Sequence, residues 1–300
     1  MYDIIVVGAG PAGLTAAVYG LRAGKTVLIL EKGAFGGQVT FSPKIENYPG
    51  MTQISGNELA DKMVEQALYQ GADVEVEEVY EIKNGDGFKT VVTDMGEHQA
   101  KAVIIATGAA HRRLGVEGEE KFIGEGISFC AVCDGAFYAD KEVAVIGGGN
   151  SALQEALSLS EICKKVTVVQ NLAFLTGEGR LAELVEKKDN IEVILSHTVE
   201  RVLGEDVFEG IVIKGEDGEK TLKADGMFVA IGLSPATKQF ENVTALDKWG
   251  YIVSDEGCTT DTEGVFVAGD CRTKAIRQIS TAASDGAVAA LAAVKYIESK

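Results

Sequence analysis

Positive charge is scarce in this chain: 28 lysines and arginines stand against 45 aspartates and glutamates over 300 residues, a formal net charge of −17. That balance repels nucleic acid and the anionic face of a membrane, so neither is expected as a partner. The acidity is spread through stretches such as EVEEVYEI (75–82) and GVEGEEKF (115–122), the pattern of a solvated surface. Long apolar runs are missing too, since none reaches the ~20 residues that a spanning helix requires. The opening MYDIIVVG enters a strand at once, without the basic start and long apolar core of a signal peptide, so a cytoplasmic protein is expected. Cysteine is too thin for a disulfide scaffold, with five in the chain and only Cys130 and Cys133 close together. His111, His197, Cys163, Cys258 and Cys271 lie scattered in sequence and add no second ligand pair, so no metal site is expected. What is plentiful is apolar residues, at 46% of the chain, enough for two packed domains of ordinary size.

Those apolar residues are organised by an internal repeat. DIIVVGAGPAGLTAAVYGLRAGKTVLILEKGAF from Asp3 aligns without a gap to EVAVIGGGNSALQEALSLSEICKKVTVVQNLAF from Glu142, an offset of 139 residues. Each copy reads strand, glycine turn, helix, strand, the context in which a GxGxxG pattern signals dinucleotide binding. In the first copy Gly8 permits the tight turn, Gly10 lets backbone approach a pyrophosphate, and Gly13 lets helix and strand pack closely. The helix amino terminus supplies N–H groups and partial positive charge to the phosphates. Glu31, 23 positions beyond Gly8, ends the second strand where a carboxylate accepts the ribose hydroxyls of an adenosine.

The second copy keeps the phosphate turn as Gly147, Gly149 and Ala152, with Asn150 and Ser151 opening the helix. The position matching Glu31, however, is Gln170, followed by Asn171. Nothing ionic stands where the second nucleotide's ribose would be read.

The expected fold is α/β, with two Rossmann-like, three-layer ββα nucleotide-binding domains, the second inserted in the first. TGAAHRRLGVEGEE (107–120) reads as the first crossover, and the polar segment KQFENVTALDKWG (238–250) as the return. The expected domains are therefore 1–112 plus 242–300, and 113–241 carrying the CxxC. The last helix has small apolar residues on several faces, which suits burial.

In ISFCAVCDGAFY, Cys130 and Cys133 flank two small residues, a loop too short to staple a fold but suited to reversible two-electron exchange. Asp134 follows directly, where a carboxyl can carry a proton to or from a departing thiolate, or simply serve as a turn residue before Gly135.

With these residues in hand, the whole chain resembles the low-molecular-weight, bacterial-type thioredoxin reductases. The likeness is carried by GAGPAG, GGQ (Gly36–Gln38), ENYPG (Glu46–Gly50), ATG (Ala106–Gly108), CAVCDG, GVFVAGD and RQI, in order and spacing. The resemblance implies an FAD-dependent disulfide oxidoreductase that reduces thioredoxin, working as a homodimer. It implies FAD held by Gly8, Gly10, Ala12 and Gly13, by Glu31 and Lys32 at the strand end, and by Gly37, Gln38 and Asn47. It extends that set with Thr107 and Gly108, then Gly269 and Asp270, and finally Arg277, Gln278 and Ile279. It further implies that Cys133 faces the flavin while Cys130 attacks the partner disulfide, and that the second domain rotates between two states.

The chain departs from its family at one place. NADPH-using members carry His-Arg-Arg and a further Arg over the stretch equivalent to Gln170–Thr176, where guanidiniums clamp the 2′-phosphate. None is present here, and the HRR at His111–Arg113 sits in the crossover, where it reads as coincidence. Three donors follow: NADH through neutral contacts from Gln170 and Asn171, NADPH read by other residues, or a reductant such as ferredoxin or a reduced deazaflavin. A ferredoxin would need a basic patch, for which Arg112, Arg113, Lys164, Lys165, Arg272 and Lys274 are the candidates. NADH is the favoured expectation. A reading of another class is a flavoprotein oxidase or redox sensor whose second nucleotide site has degenerated.

Overall fold

The computed structural model describes residues 1–42 and 44–300. The chain begins β1 (Tyr2–Val7), α1 (Pro11–Arg22), β2 (Val27–Glu31), α2 (Gly56–Tyr69), β3 (Asp73–Val76), β4 (Val79–Asn84), β5 (Lys89–Thr93) and β6 (Glu97–Ile105). It continues through β7 (Ala109–His111), α3 (Glu119–Phe122), β8 (Ile127–Ser128), α4 (Ala131–Asp134), β9 (Glu142–Ile146), α5 (Asn150–Ser160), β10 (Lys165–Val169) and α6 (Gly179–Glu186). Strands β11 (Ile191–Ile194), β12 (Thr198–Leu203), β13 (Gly210–Gly215), β14 (Gly218–Lys223), β15 (Gly226–Val229), β16 (Leu233–Pro235) and β17 (Val265–Val267) precede the long α7 (Ile279–Glu298). These elements form two compact units, residues 1–110 with 234–300, and residues 111–233.

Unit 1 is built on β3-β2-β1-β6, all parallel, with β17 parallel to the carboxyl half of β6. The amino half of β6 turns instead into an antiparallel run with β5 and β4. The central strands bury both faces, and their residues alternate between two cores as the two-residue strand period requires. Ile4, Val6, Ile29 and Ile104 pack with Leu14, Ala16, Ala289 and Ala293 from α1 and α7. Ile5, Val7, Leu28, Leu30 and Ile105 pack on the other side with Val79, Ile82, Val91 and Phe240. The small residues of α7 let it approach α1 closely: a Cβ on Gly286 would lie 2.1 Å from the Ala12 carbonyl oxygen.

Unit 2 repeats the layering on a smaller scale. Its sheet runs β11-β10-β9-β15-β8 and is parallel throughout. Val143, Val145, Val166 and Val168 face Ala152, Ala156 and Leu159 of α5. Ala144, Ile146 and Val169 face Val199, Val202, Ile211 and Ile213 from the antiparallel β12-β13-β14 sheet. The architecture is therefore α/β with two Rossmann-like ββα units, one inserted in the other.

The second crossing falls earlier than the polar character of residues 238–250 leads one to expect. The chain re-enters unit 1 at Ser234, and Phe240 within that polar segment is fully buried in the unit 1 core. One aromatic side chain thus outweighs the hydrophilic residues around it. The first crossing lies at residues 110/111, two residues ahead of the expected place. Among the described residues no helix is long and apolar enough to cross a membrane.

Candidate active site

The first glycine turn shows three glycines with three different duties. Gly8 has φ +109°, and a Cβ there would meet the Ala106 oxygen at 2.4 Å. At Gly13 a Cβ would lie 1.9 Å from the Gly8 oxygen, so the helix can sit on the turn only without a side chain. Gly10 is the opposite case: the nearest atom to an added Cβ is 4.0 Å away, the Gly36 oxygen. Backbone is bare there beside the amino end of α1, as a phosphate requires.

Glu31 at the end of β2 closes the turn, its carboxylate accepting from the Ala9 N–H (2.8 Å) and the Gly33 N–H (3.0 Å). Lys32 is exposed, its ammonium 3.5 Å from Glu78, and Gln38 is exposed in the short Gly37–Phe41 turn of helix. Ala12, in the first turn of α1, is buried and lies where a Cβ on Gly269 would contact its methyl, at 2.8 Å. Asn47 Nδ2 donates to Gln278 Oε1 at 3.3 Å, joining two remote sequence motifs. Gln278 caps α7 in a reciprocal box with Thr281, and Ile279 packs against Val39, Ile45, Ile54 and Leu59. Arg277 lies over the Tyr251 ring at 4.2 Å. The Thr107 hydroxyl donates to the Ala236 oxygen at 2.7 Å, and Gly108 takes φ +68°.

Asp270 follows Gly269, which has φ +80°, in a short turn after β17. Its Oδ1 is buried without any hydrogen-bond partner, and burial pushes its carboxyl up, opposed by Lys274 and Arg277. A buried, unpartnered acceptor beside an open glycine turn fits a hydroxylated nucleotide cofactor such as FAD.

In unit 2 Cys130 and Cys133 form a disulfide with a Cα separation of 5.3 Å. Cys130 caps α4, and the Cys133 N–H donates to its Sγ at 3.2 Å. Ser128 on β8 ties the site together: its hydroxyl donates to Asp134 Oδ2 at 2.6 Å and accepts from the Cys130 N–H at 3.1 Å. Burial raises the Asp134 carboxyl above its ordinary range, with Ser128 pulling the other way, and Oδ1 has no partner. Tyr138 is pushed up to about 12 by burial and by Asp134. Val132 between the cysteines is 70% exposed, so the disulfide lies under an accessible apolar tip. Substituting Asp134→Asn is expected to slow exchange at the disulfide several-fold and to remove the rate loss that wild type shows as pH rises and the acid ionises. A pH–rate profile of dithiol formation checks both.

His111 and Arg113 are not idle in this unit. His111 stacks on Phe129 at 4.9 Å, and Arg113 lies over the same ring at 4.9 Å. They brace the residue preceding Cys130, and burial with Arg113 holds His111 down to about 4, so it is neutral at neutral pH. Sequence gave no sign of this, nor of Ser128, because the contacts join residues on different elements. Glu155 on α5 was also unmarked: burial pushes it up to about 8 and its Oε2 has no partner.

The second glycine turn has its own lid. Gln170 is 5% exposed, its side chain within 2.5–2.9 Å of where a Gly148 Cβ would stand, and its Nε2 donates to the Phe174 oxygen at 3.3 Å. Thr176 and Gly177 N–H groups donate to the Gly148 oxygen at 2.8 and 2.9 Å. Gln170 therefore packs the turn from within, whereas Asn171 and Ser151 are exposed. Asn150 is engaged by Glu178, accepting from its N–H at 2.7 Å and donating to its carboxylate at 3.1 Å. Gly147 has φ +131° and Gly149 keeps space like Gly10, its nearest contact being Thr176 Oγ1 at 3.8 Å. Among the six basic residues noted above, Lys164 pairs with Glu142, Lys165 with Glu192, and Arg272 and Lys274 with Asp285.

Residues 2–286 match the family described as pyridine nucleotide-disulphide oxidoreductase. The chain belongs to that family. Within it, the chain is 43% identical over 99% of its length to a thioredoxin reductase of Listeria monocytogenes, covering 94% of that relative. It is equally 43% identical, over 99% of its length and 98% of the relative, to a 34.2 kDa protein in the rubredoxin operon of Clostridium pasteurianum. The crystal structure of thioredoxin reductase from Streptococcus pyogenes superposes with a TM-score of 0.96 at 40% identity, covering 100% of this chain and 99% of that one. This family member is accordingly an FAD-dependent disulfide oxidoreductase of the thioredoxin reductase group, with a fold and a redox disulfide to match.

Proposed function

We propose that the protein reduces thioredoxin, passing two electrons from a reduced donor through FAD and the Cys130–Cys133 pair. The observation that carries this reading is the Cys130–Cys133 disulfide, capped at Cys130 and flanked by a half-buried acid, in a chain that also holds an FAD-type glycine turn. Bound FAD supplies two-electron exchange with a donor and with a disulfide. Gly8, Gly10 and Gly13 would present the pyrophosphate turn, Glu31 would accept from the adenosine ribose, and Asp270 would accept from a ribityl hydroxyl. Asn47, Arg277 and Gln278 complete the cradle around the amino end of α7.

In the reduced pair, the Cys133 N–H directed at Cys130 Sγ stabilises a thiolate there, which suits Cys130 as the attacking sulfur. Cys130 Sγ forms a bond to one sulfur of thioredoxin while its other sulfur departs as a thiolate. Cys133 then attacks Cys130 Sγ, re-forming the Cys130–Cys133 bond and releasing the second thioredoxin thiolate. Asp134, whose carboxyl burial raises above its ordinary range beside the cysteine pair, is the group that delivers a proton to a departing thiolate. Two electrons and two protons leave with the reduced partner. We propose a cytoplasmic location, in keeping with the reducing chemistry the enzyme serves, and a homodimer, as the family resemblance implies.

For the donor we propose NADH ahead of NADPH. Between Gln170 and Thr176 no cation stands to pair a 2′-phosphate, and an unpaired charged group costs a few kcal/mol, ~2–3. At matched coenzyme concentrations NADH is expected to reduce the flavin at least as fast as NADPH, and Gln170→Arg with Asn171→Arg to shift preference towards NADPH. Stopped-flow flavin absorbance reads both, and a wild-type preference for NADPH of about tenfold, ~1.4 kcal/mol, contradicts the assignment. A second reading, a small iron-containing carrier such as ferredoxin, draws support from Gln170 packed over Gly148 and from the Clostridium relative of the rubredoxin operon. The paired state of Lys164, Lys165, Arg272 and Lys274 weighs against it.

A further inference from the structure

Beneath the Gly269–Asp270 turn of unit 1 lies a buried ionic group that the reaction chemistry does not use. Asp285, in the second turn of α7, accepts from the Gly269 N–H at 3.0 Å, from Arg272 Nε and Nη2 at 2.9 Å each, and from Lys274 Nζ at 2.8 Å. The side chains of Asp285, Arg272 and Lys274 are only 10%, 11% and 7% exposed. Arg272 is further fixed through Nη1 to the Asp255 and Thr273 oxygens, at 3.2 and 3.0 Å.

The arithmetic of this group leaves one positive charge over. Arg272 meets Asp285 with two parallel N–H bonds and is neutralised by it. Lys274 shares the same Oδ2 and has no second carboxylate partner among the described residues, and a buried ammonium without a full partner is costly. The nearby acid with an unfilled oxygen is Asp270, whose carboxyl feels Lys274 and Arg277 as attractive charges and Asp285 as a repulsive one. Cys258 and Cys271, both buried, and Asp255 are the other titratable groups around the cluster, and burial holds both thiols neutral at about 11.

We infer that Lys274, seated on Asp285, is a positioning residue for the cofactor: it keeps the Asp270 carboxylate in the charged, hydrogen-bond-accepting form that a ribityl hydroxyl requires. This inference rests on the assignment of Asp270 as an FAD contact. Burial alone drives Asp270 towards its neutral acid, which offers a weaker acceptor. Lys274 and Arg277 both oppose that drive: Arg277 is held over the Tyr251 ring and against the Asp270 backbone oxygen, and the Asp285 Oδ2 that takes the Lys274 ammonium at 2.8 Å also accepts the Gly269 N–H at 3.0 Å, which seats that charge beside the Asp270 turn. Removing its charge therefore leaves the Arg272–Asp285 pair intact and lets Asp270 take up a proton at a higher pH.

The test follows FAD release from the holoenzyme by flavin fluorescence from about pH 9 down to about pH 5, with far-ultraviolet circular dichroism alongside. In Lys274→Met the midpoint pH of release is expected to rise by about one unit, so that near pH 6 FAD is held about tenfold more weakly than in wild type while near pH 9 the two agree. Lys274→Arg should restore the wild-type profile, and Lys274→Gln should repeat the Met result if the Met protein folds poorly. An unchanged profile in Lys274→Met or Lys274→Gln, or release that only tracks unfolding at the same pH in both proteins, overturns the inference. Asp270→Asn separates the two claims: if it holds FAD as wild type does at every pH, the Asp270 contact itself is wrong, whereas weakened binding there with a wild-type Lys274→Met profile removes only the role of Lys274.

Discussion

Cys133→Ser is expected to accumulate a covalent adduct with thioredoxin, because Cys130 still attacks the partner disulfide and nothing remains to resolve the bond. Cys130→Ser is expected to form no adduct at all. In both, thioredoxin turnover should fall by about three orders of magnitude or more, since each half of a two-sulfur exchange is obligatory. Reduction of the flavin by its donor should survive, as neither sulfur belongs to the nucleotide turns. Non-reducing electrophoresis identifies the adduct, which dithiothreitol should release. The asymmetry comes from the local structure: Cys130 caps the amino end of α4 and its Sγ receives the Cys133 N–H, whereas Cys133 lies within the helix. An adduct formed by Cys130→Ser but not by Cys133→Ser would reverse the two assignments.

Gly13→Ala should be among the most damaging single-methyl additions in the nucleotide turns. The added carbon would stand 1.9 Å from the Gly8 carbonyl oxygen, so helix α1 must lift from the turn that it closes. Overpacking against backbone costs about 1–3 kcal/mol, which at this size lowers Tm by ~2–5 °C. FAD content should drop with it, because the displaced turn carries Gly8 and Gly10. The matching residue of the second repeat is already alanine, Ala152, fully buried against its own sheet. Ala152→Gly is therefore expected to cost only about 1–2 kcal/mol through helix propensity and a lost methyl, and to leave FAD content unchanged. Thermal melts with flavin quantitation distinguish the pair. Equal losses from both substitutions would contradict the difference in packing between the two turns.

The repeat was legible because it is written in short-range chemistry. Alternating β-branched residues, glycines at fixed spacing and Glu31 at a strand end each act within some thirty residues, so the string alone places them together. The redox pair was legible for the same reason. Ser128, His111 and Arg113 were not, since their meaning depends on β8, α4 and the entry strand converging around Phe129 and Asp134. HRR at 111–113 looked accidental when judged against a phosphate-binding motif, yet two of its side chains grip the ring beside Cys130. Phe240 shows the converse, a single buried aromatic that fixes a segment whose average character is polar. Gln170 was expected to offer a neutral contact to a ribose; in the folded chain its amide is turned onto Gly148 and the Phe174 carbonyl.

Electrons are expected to leave this protein through the Cys130–Cys133 pair onto a thioredoxin disulfide. The most direct test is anaerobic: the purified protein is mixed with oxidised thioredoxin and, in turn, with NADH, NADPH and reduced ferredoxin, and thioredoxin thiols are counted against donor consumed. Two thiols are expected per two electrons delivered, with NADH effective, and none when Cys130→Ser replaces wild type. Flavin that is reduced by a donor while thioredoxin stays oxidised with all three would contradict this route.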